Sequence, residues 1–204
     1  MTGNAGCSDM TATDSDSQAG TLKNLKAQVG AKSSCTNPKR SVEVTGKVVA
    51  KWTNAAQGTV DFTGVGWNTK NVTDGYANDN EGLDYSYTFS TKNKPLFFSF
   101  DWDIAGNGVN DDFGLNGFFI DLNGSSIFAN VDSTGATQWL LSPNTTYTLT
   151  ISNEANDQGA LGTIKEVMDG HFSFLAYSVP EPSSWMLLSS GLIAAVGMIR
   201  RRVL

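Results

Sequence analysis

The stretch Leu96-Phe97-Phe98-Ser99-Phe100-Asp101-Trp102-Asp103 carries a large apolar side chain at every even-numbered position. Three of its four odd-numbered positions are polar. Successive side chains of a β-strand point to opposite faces, whereas a helix repeats every 3.6 residues. The alternation therefore predicts a strand with one face in a hydrophobic core and the other facing solvent.

The same period of two recurs along most of the chain. Five further stretches alternate as strictly: 42–52, 85–89, 118–122, 147–151 and 172–176. Weaker patterns predict strands near 58–65, 125–131, 137–142 and 162–168. Asn123-Gly124 is the clearest hairpin signal, because both residues tolerate the positive φ of a two-residue turn. Eight to ten short strands with turns between them predict an all-β fold, an antiparallel two-sheet β-sandwich that is jelly-roll-like.

Positive charge is concentrated at the end of the chain. The 204 residues have a net charge of −6, and three of the four arginines are Arg200, Arg201 and Arg202. Without residues 180–204, which hold those arginines and Glu181, 11 basic and 19 acidic side chains remain, a net charge of −8. A body this acidic does not attract nucleic-acid phosphates, so we expect no nucleic-acid partner. The length fits one domain with a tail.

The tail contains a long uncharged run. No charged residue occurs between Glu181 and Arg200, a stretch of 18 residues. As a helix it would be about 27 Å long, close to the thickness of the hydrocarbon core of a membrane. Trp185 at one end and the arginines at the other suit the two interfaces, with the arginines in the cytoplasm. We predict one C-terminal transmembrane helix. The alternative is a buried helix, which would normally keep a polar stripe.

The segment Val179-Pro180-Glu181-Pro182 directly precedes this run. Two prolines around a glutamate favour an extended backbone, which a processing enzyme can accept. A Pro-Glu-Pro triplet, an apolar run and an arginine cluster, in this order, resemble the PEP-CTERM sorting signal of Gram-negative bacteria. A profile of the same tail is also called the ice-binding protein C-terminal domain, a label that says nothing reliable about ice.

The resemblance implies a partner and a course of events. Such proteins are exported, held at the membrane by the tail helix and processed by an exosortase, an integral-membrane enzyme. By position, Pro180, Glu181 and Pro182 would be the recognition signal, and Arg200 to Arg202 the cytoplasmic stop. The family is associated with exopolysaccharide and biofilm. We therefore expect a membrane-held precursor and then a protein at the cell surface or outside the cell.

The N-terminal segment departs from the family pattern. Family members normally begin with a signal peptide, and residues 1–7 show neither a basic nor an apolar region of that kind. We expect the true start to lie upstream, and Ala5-Gly6-Cys7 also resembles the end of a bacterial lipobox. In an exported protein, Cys7 and Cys35 are expected to form one disulfide. Leu22, Leu25 and Val29 are at helical spacing and predict a short helix.

Three regions follow from these patterns: an N-terminal disulfide-closed segment with a short helix (1–38), a β-sandwich ectodomain (39–178) and the sorting tail (179–204). A search for catalytic motifs finds no signature of a metalloprotease, a serine hydrolase or a phosphate-binding loop. His171, the one histidine, falls on the polar face opposite Phe172. We predict that the protein is not an enzyme. Paired carboxylates leave a secreted glycosidase as an alternative.

Acidic residues suggest one metal site. Asp101 and Asp103 share a strand face, and Asn110, Asp111 or Asp112 follow in a glycine-rich loop. Oxygen ligands at this density suit Ca²⁺, although solvated turns explain the same composition. A looser cluster lies between Asp74 and Glu81. We expect no other cofactor.

Aromatic residues suggest a second alternative, a lectin-like carbohydrate-binding module on the same tail. Such modules stack sugar rings on exposed aromatic side chains. Trp52 and Trp102 are in phase with core faces and are expected to be buried. Trp67 and Tyr76 are out of phase and are candidate contacts for a polysaccharide. The leading prediction is a non-catalytic surface or matrix protein.

Overall fold

The structure is a computed structural model that describes residues 2–4, 11–13, 15–20, 24–36, 39–54, 56–70, 78–107, 117–158 and 165–179. Within these ranges the chain forms twelve β-strands and no helix. The strands are β1 Thr2–Asn4, β2 Thr11–Thr13, β3 Leu25–Thr36, β4 Lys39–Asn54, β5 Gln57–Lys70, β6 Asn78–Ser90, β7 Leu96–Asn107, β8 Gly117–Leu122, β9 Ser125–Asn130, β10 Ser133–Leu141, β11 Thr146–Gln158 and β12 Lys165–Ser178.

The strands form two six-stranded antiparallel sheets. Sheet A has the order β2-β1-β6-β11-β8-β9, and sheet B has the order β10-β7-β12-β5-β4-β3. From β5 to β12 the chain crosses between the sheets at every connection except the β8–β9 hairpin. This is the strand order of a jelly roll, with β1 and β2 extending one sheet and β3 and β4 the other. The predicted all-β fold with two antiparallel sheets is confirmed.

Aromatic side chains fill the space between the sheets. Phe62 and Phe172 from sheet B pack against Phe118 from sheet A, with ring centroids 4.9 and 5.1 Å from that of Phe118. All three side chains are almost completely buried. Phe98 and Phe100, from the stretch that predicted the first strand, are 2% and 0% exposed. The alternation along β7 therefore places its apolar face in the core, as predicted.

The predicted hairpin at Asn123-Gly124 is confirmed. These two residues join β8 to β9 and have φ values of 49° and 86°, which a non-glycine residue other than Asn or Asp seldom adopts. The side chain of Asp121 accepts hydrogen bonds from the Gly124 amide and from the Ser126 hydroxyl. The turn residues and this short polar network together fix the register of the hairpin.

The predicted short N-terminal helix is wrong. Residues 25–36 form strand β3, which pairs antiparallel with β4 along its full length. Leu25 and Val29 do face the core, but with Ala27 and Ala31 between and after them they follow a period of two. The free edge of β4 supplies backbone partners along the whole segment, and this tertiary pairing outweighs the local spacing. Residues 1–38 thus contribute strands to both sheets.

The strands predicted near 162–168 and 172–176 are one strand, β12. The register of β12 against β5 shifts between Met168 and Gly170, which marks a β-bulge. A bulge inserts one extra residue and resets the alternation, so the sequence pattern looks like two strands. The predicted transmembrane helix, at 183–199, lies outside the described residues. Within the described ranges no helix is long and apolar enough to cross a membrane.

Burial of Tyr85 predicts a loss of stability at high pH. Desolvation raises the pKa of its phenol above the ordinary value of 10.0, and neighbouring Tyr87 raises it further. The folded state therefore keeps a proton that the unfolded chain loses above about pH 10, and stability falls as pH rises through that range. We expect the melting temperature of the full chain in detergent to fall less between about pH 8 and pH 11 in a Tyr85→Phe variant than in wild type. Equal losses in the variant and in wild type would contradict the assignment.

Candidate functional site

The last strand of the sandwich, β12, directly precedes the predicted tail. β12 is an interior strand of sheet B, between β7 and β5, and ends at Ser178. The amide of Val179 donates to the carbonyl of Pro95 at 3.5 Å, and the amide of Ala176 donates to the carbonyl of Ala56 at 2.8 Å. Pro180, Glu181 and Pro182 lie outside the described residues. The folded body therefore holds the chain up to the residue before the Pro-Glu-Pro triplet.

Four connections meet at the end of the sandwich where β12 finishes. We call this the exit end; the described residues of its connections are 56, 91–95, 123–124 and 142–145. The amide of Thr91 donates to the carbonyl of Thr145 at 2.9 Å, and the Thr91 hydroxyl donates to the carbonyl of Ser142 at 2.7 Å. The amide of Asn144 donates to the carbonyl of Lys92 at 2.8 Å. These hydrogen bonds join the two sheets into a fixed platform beside Val179.

A protein-family model, the PEP-CTERM protein-sorting motif, matches residues 178–202. The tail is a PEP-CTERM sorting signal. The match covers the Pro-Glu-Pro triplet and the three arginines, all predicted from the sequence to be its functional parts. The signal begins at Ser178, the last residue of β12, so the sandwich and the signal adjoin without a linker.

The sorting signal determines the class of protein. It marks the chain for sorting to the cell envelope by an exosortase, as the resemblance implied. Arg200, Arg201 and Arg202 lie outside the described residues, as does the apolar run before them. No curated protein and no solved structure gives a significant match to the chain.

An apolar patch is exposed next to the exit of the signal. Leu140, Phe97 and Tyr177 are consecutive partners across β10, β7 and β12, and Leu175 lies two residues before Tyr177. Leu140, Leu175 and Tyr177 are 64%, 42% and 40% exposed, and Phe97 is half-buried. The Phe97 and Tyr177 rings are 5.6 Å apart at 41°. We call these four residues the exit patch. Sequence reasoning missed it, because its side chains come from three separate strands.

The predicted calcium ligands are only partly described. Asp101 and Asp103 are exposed on the outer face of sheet B, as their alternation predicted. The Ser173 hydroxyl donates to Asp101 at 3.4 Å. Asn110, Asp111 and Asp112 lie outside the described residues. Among the described side chains, no group of three or more His, Cys, Asp or Glu is close enough together to hold a metal. The Ca²⁺ site stays a prediction.

His171 has a partner that the sequence did not reveal. Its Nδ1 donates to Oδ1 of Asp61 at 2.5 Å, and Oδ2 of Asp61 lies 3.6 Å from Nζ of Lys51. Asp103 faces His171 in the register of β7 against β12. His171 and Lys51 are mostly exposed. The predicted position of His171 on the polar face is confirmed. Lys51, Asp61, His171 and Asp103 form a surface group on four consecutive strands of sheet B, β4, β5, β12 and β7.

Some of the other predicted site residues are described by the structure, and the rest are not. Trp52 and Trp102 are half-buried against the core, which confirms their predicted face. Trp67 lies in β5, where its side chain is not described, and Tyr76 lies outside the described residues. Cys7 also lies outside them, and the side chain of Cys35 in β3 is not described. The glycan contacts and the disulfide therefore stay predictions.

Proposed function

We propose that this chain is a non-catalytic surface or matrix protein of a Gram-negative bacterium, held at the membrane by its tail helix and then released by an exosortase near Pro180–Pro182. The disulfide between Cys7 and Cys35 would form after export. The observation that carries the proposal is the position of the sorting signal, which starts at the last residue of β12. The cargo of the signal is thus the jelly-roll domain itself.

The domain's surface supports a role in the extracellular matrix. The jelly roll presents two broad sheet faces, and their exposed positions are rich in hydroxyl groups. On sheet A the hydroxyls of Thr88 and Thr148 are 3.0 Å apart, and those of Ser90 and Thr146 are 2.9 Å apart. Hydroxyl ladders of this kind form hydrogen bonds with water and with sugars alike. We propose that the matrix partner is an exopolysaccharide.

The lectin-like alternative rests on an exposed aromatic pair. Phe119 and Phe128 on the outer face of sheet A are 51% and 39% exposed, with ring centroids 4.7 Å apart. Their planes are tilted by 54°, so they form a ridge and not a flat platform. A ridge can contact one sugar ring on each side, whereas coplanar rings bind an extended chain.

Retention of the full chain, in detergent, on immobilised exopolysaccharide from the producing strain tests the proposed role. We expect retention at low salt without release of reducing sugars. A Phe119→Ala, Phe128→Ala variant and a Trp67→Ala variant distinguish the alternatives, since a lectin site at either position would lose about tenfold in affinity. Retention that neither variant changes supports distributed matrix contacts. Release of reducing sugars would instead identify a glycosidase, and no retention would refute the polysaccharide partner.

A further inference from the structure

We infer that the exit end of the sandwich lies on the anionic surface of the membrane while the tail is still attached. The exit patch would contact the interfacial region, and Lys92 and Lys94 would contact lipid phosphates. The inference rests on the proposed function, because it requires a tail that spans the membrane. It adds a second binding surface, on the folded domain, to the anchor that the tail provides.

The length of chain between the sandwich and the apolar run limits where the body can lie. Five residues, 180–184, separate Val179 from Trp185. Fully extended, they allow at most about 21 Å between those two residues. β12 alone has 14 residues and is about 46 Å long. Because the tether is much shorter than the sandwich, the exit end must be the end that faces the bilayer.

The exit patch has the composition of a membrane interface. It consists of two aromatic and two leucine side chains, and Tyr177 is eight positions before Trp185. Aromatic rings with a polar edge, such as tyrosine, prefer the headgroup level of a bilayer. The Tyr177 hydroxyl accepts a hydrogen bond from Nε2 of Gln138. This bond directs the ring along the sheet surface, beside Phe97.

The charge of the exit end is opposite to that of the body. The described connections at the exit end, 56, 91–95, 123–124 and 142–145, contain two lysines and no Asp or Glu, although the body holds 19 acidic side chains. Asp121 lies beside the 123–124 connection, where it accepts a hydrogen bond from the Gly124 amide. Lys92 and Lys94 lie in the connection between β6 and β7 and are exposed. An anionic lipid surface attracts these lysines and repels the remaining acidic surface. The domain is therefore oriented with its exit end toward the lipid.

The platform at the exit end can bear such a contact without rearrangement. Thr91 is 5% exposed and connects the 91–95 and 142–145 segments through hydrogen bonds with the carbonyls of Ser142 and Thr145. The lysines and the patch are therefore carried on a rigid surface. Little conformational entropy is lost when a rigid surface binds. A small patch can therefore bind the lipid surface once the tail holds the domain next to the membrane.

Side-chain oxidation by hydroxyl radicals tests the inference on the full chain in vesicles of phosphatidylcholine with about one third phosphatidylglycerol. We expect Phe97, Leu140 and Tyr177 to oxidise about threefold more slowly than in pure phosphatidylcholine vesicles. Phe119 and Phe128 are 51% and 39% exposed on the other sheet and serve as internal controls that should not change. Trp185 and Met198 report insertion of the tail in both kinds of vesicle.

Each outcome has one meaning. A protected tail with an unprotected patch would overturn this inference and leave the proposed function intact. An unprotected tail would refute the membrane anchor and, with it, this inference. Patch protection that also occurs in detergent and rises with protein concentration would assign the patch to a second copy of the chain and overturn the lipid contact.

A charge-reversed pair of variants tests the electrostatic part. In a double variant, Lys92→Glu with Lys94→Glu, the exit patch should oxidise at the same rate in both kinds of vesicle. The matched control is Lys165→Glu, at the opposite end of β12, which changes the same type of charge on an exposed residue. Equal protection of the patch in both variants would overturn the role of the lysines at the exit end.

Discussion

Replacement of Pro180, Glu181 and Pro182 by alanine is expected to leave the chain unprocessed in the membrane fraction. The family model covers the triplet, and we propose that the triplet is the recognition part of the signal, since prolines favour the extended backbone that a processing enzyme accepts. Three alanines would favour extension of the predicted tail helix toward the sandwich. We expect the released form to fall by about tenfold or more, since an enzyme that loses its recognition contacts loses most of its rate.

Fractionation of cells followed by immunoblotting measures this effect. The matched control replaces the next two residues, Ser183 and Ser184, by alanine, and should leave processing close to normal. A second variant, with Arg200 to Arg202 replaced by glutamine, should lose membrane retention or orientation through the loss of the positive end. Normal release of the alanine-triplet variant would show that processing does not depend on Pro-Glu-Pro.

Truncation of Phe172 to alanine is expected to have the largest effect on stability. Its ring is fully buried and lies 5.1 Å from Phe118 on the other sheet and 5.7 and 5.8 Å from Phe62 and Phe100. The variant leaves a cavity between the sheets as well as losing the burial of the ring, at a cost of about 3–5 kcal/mol. This is a large part of the 5–15 kcal/mol that is typical of a domain.

Chemical denaturation of the full chain in mild detergent, followed by tryptophan fluorescence, measures that loss. Leu140→Ala is the control, because Leu140 is 64% exposed and a surface truncation changes the free energy of unfolding by about 0.5 kcal/mol or less. If the variant does not fold, Phe172→Leu provides a smaller and measurable loss. Equal effects of Phe172→Ala and Leu140→Ala would contradict the position of Phe172 between the sheets.

The strands that sequence predicted well are those whose faces differ clearly. In β7 the alternation of Phe98 and Phe100 with polar residues gives each face one environment, so a period of two is the only consistent solution. The prediction of a short helix where β3 lies was wrong because the local pattern did not distinguish a helix from a strand. Leu22, Leu25 and Val29 fit a helical spacing, and only pairing with β4 decides for a strand. That pairing is a tertiary interaction, which a local pattern does not contain.

The candidate site also has a part that the sequence predicted, the sorting signal, and a part that it did not, the contacts between distant residues. Its signal is local, since Pro-Glu-Pro, the apolar run and the arginines follow one another along the chain, and the predicted sorting signal is confirmed by the family match at 178–202. The exit patch joins Phe97 with Tyr177, which are 80 positions apart, and His171 contacts Asp61 from 110 positions away. Contacts of this range depend on strand order and register, which the pattern of one strand does not determine.

The most direct test of the central claim is the intact mass and C-terminal sequence of the protein outside cells of the producing strain, with and without its exosortase. We predict that the exosortase-containing strain releases a form that ends close to Pro180–Pro182 and lacks residues 183–199. The strain without exosortase should hold the chain, with residues 183–199 still present, in its membrane fraction. Release of the same mass from both strains, or a released form that keeps residues 183–199, would contradict the account.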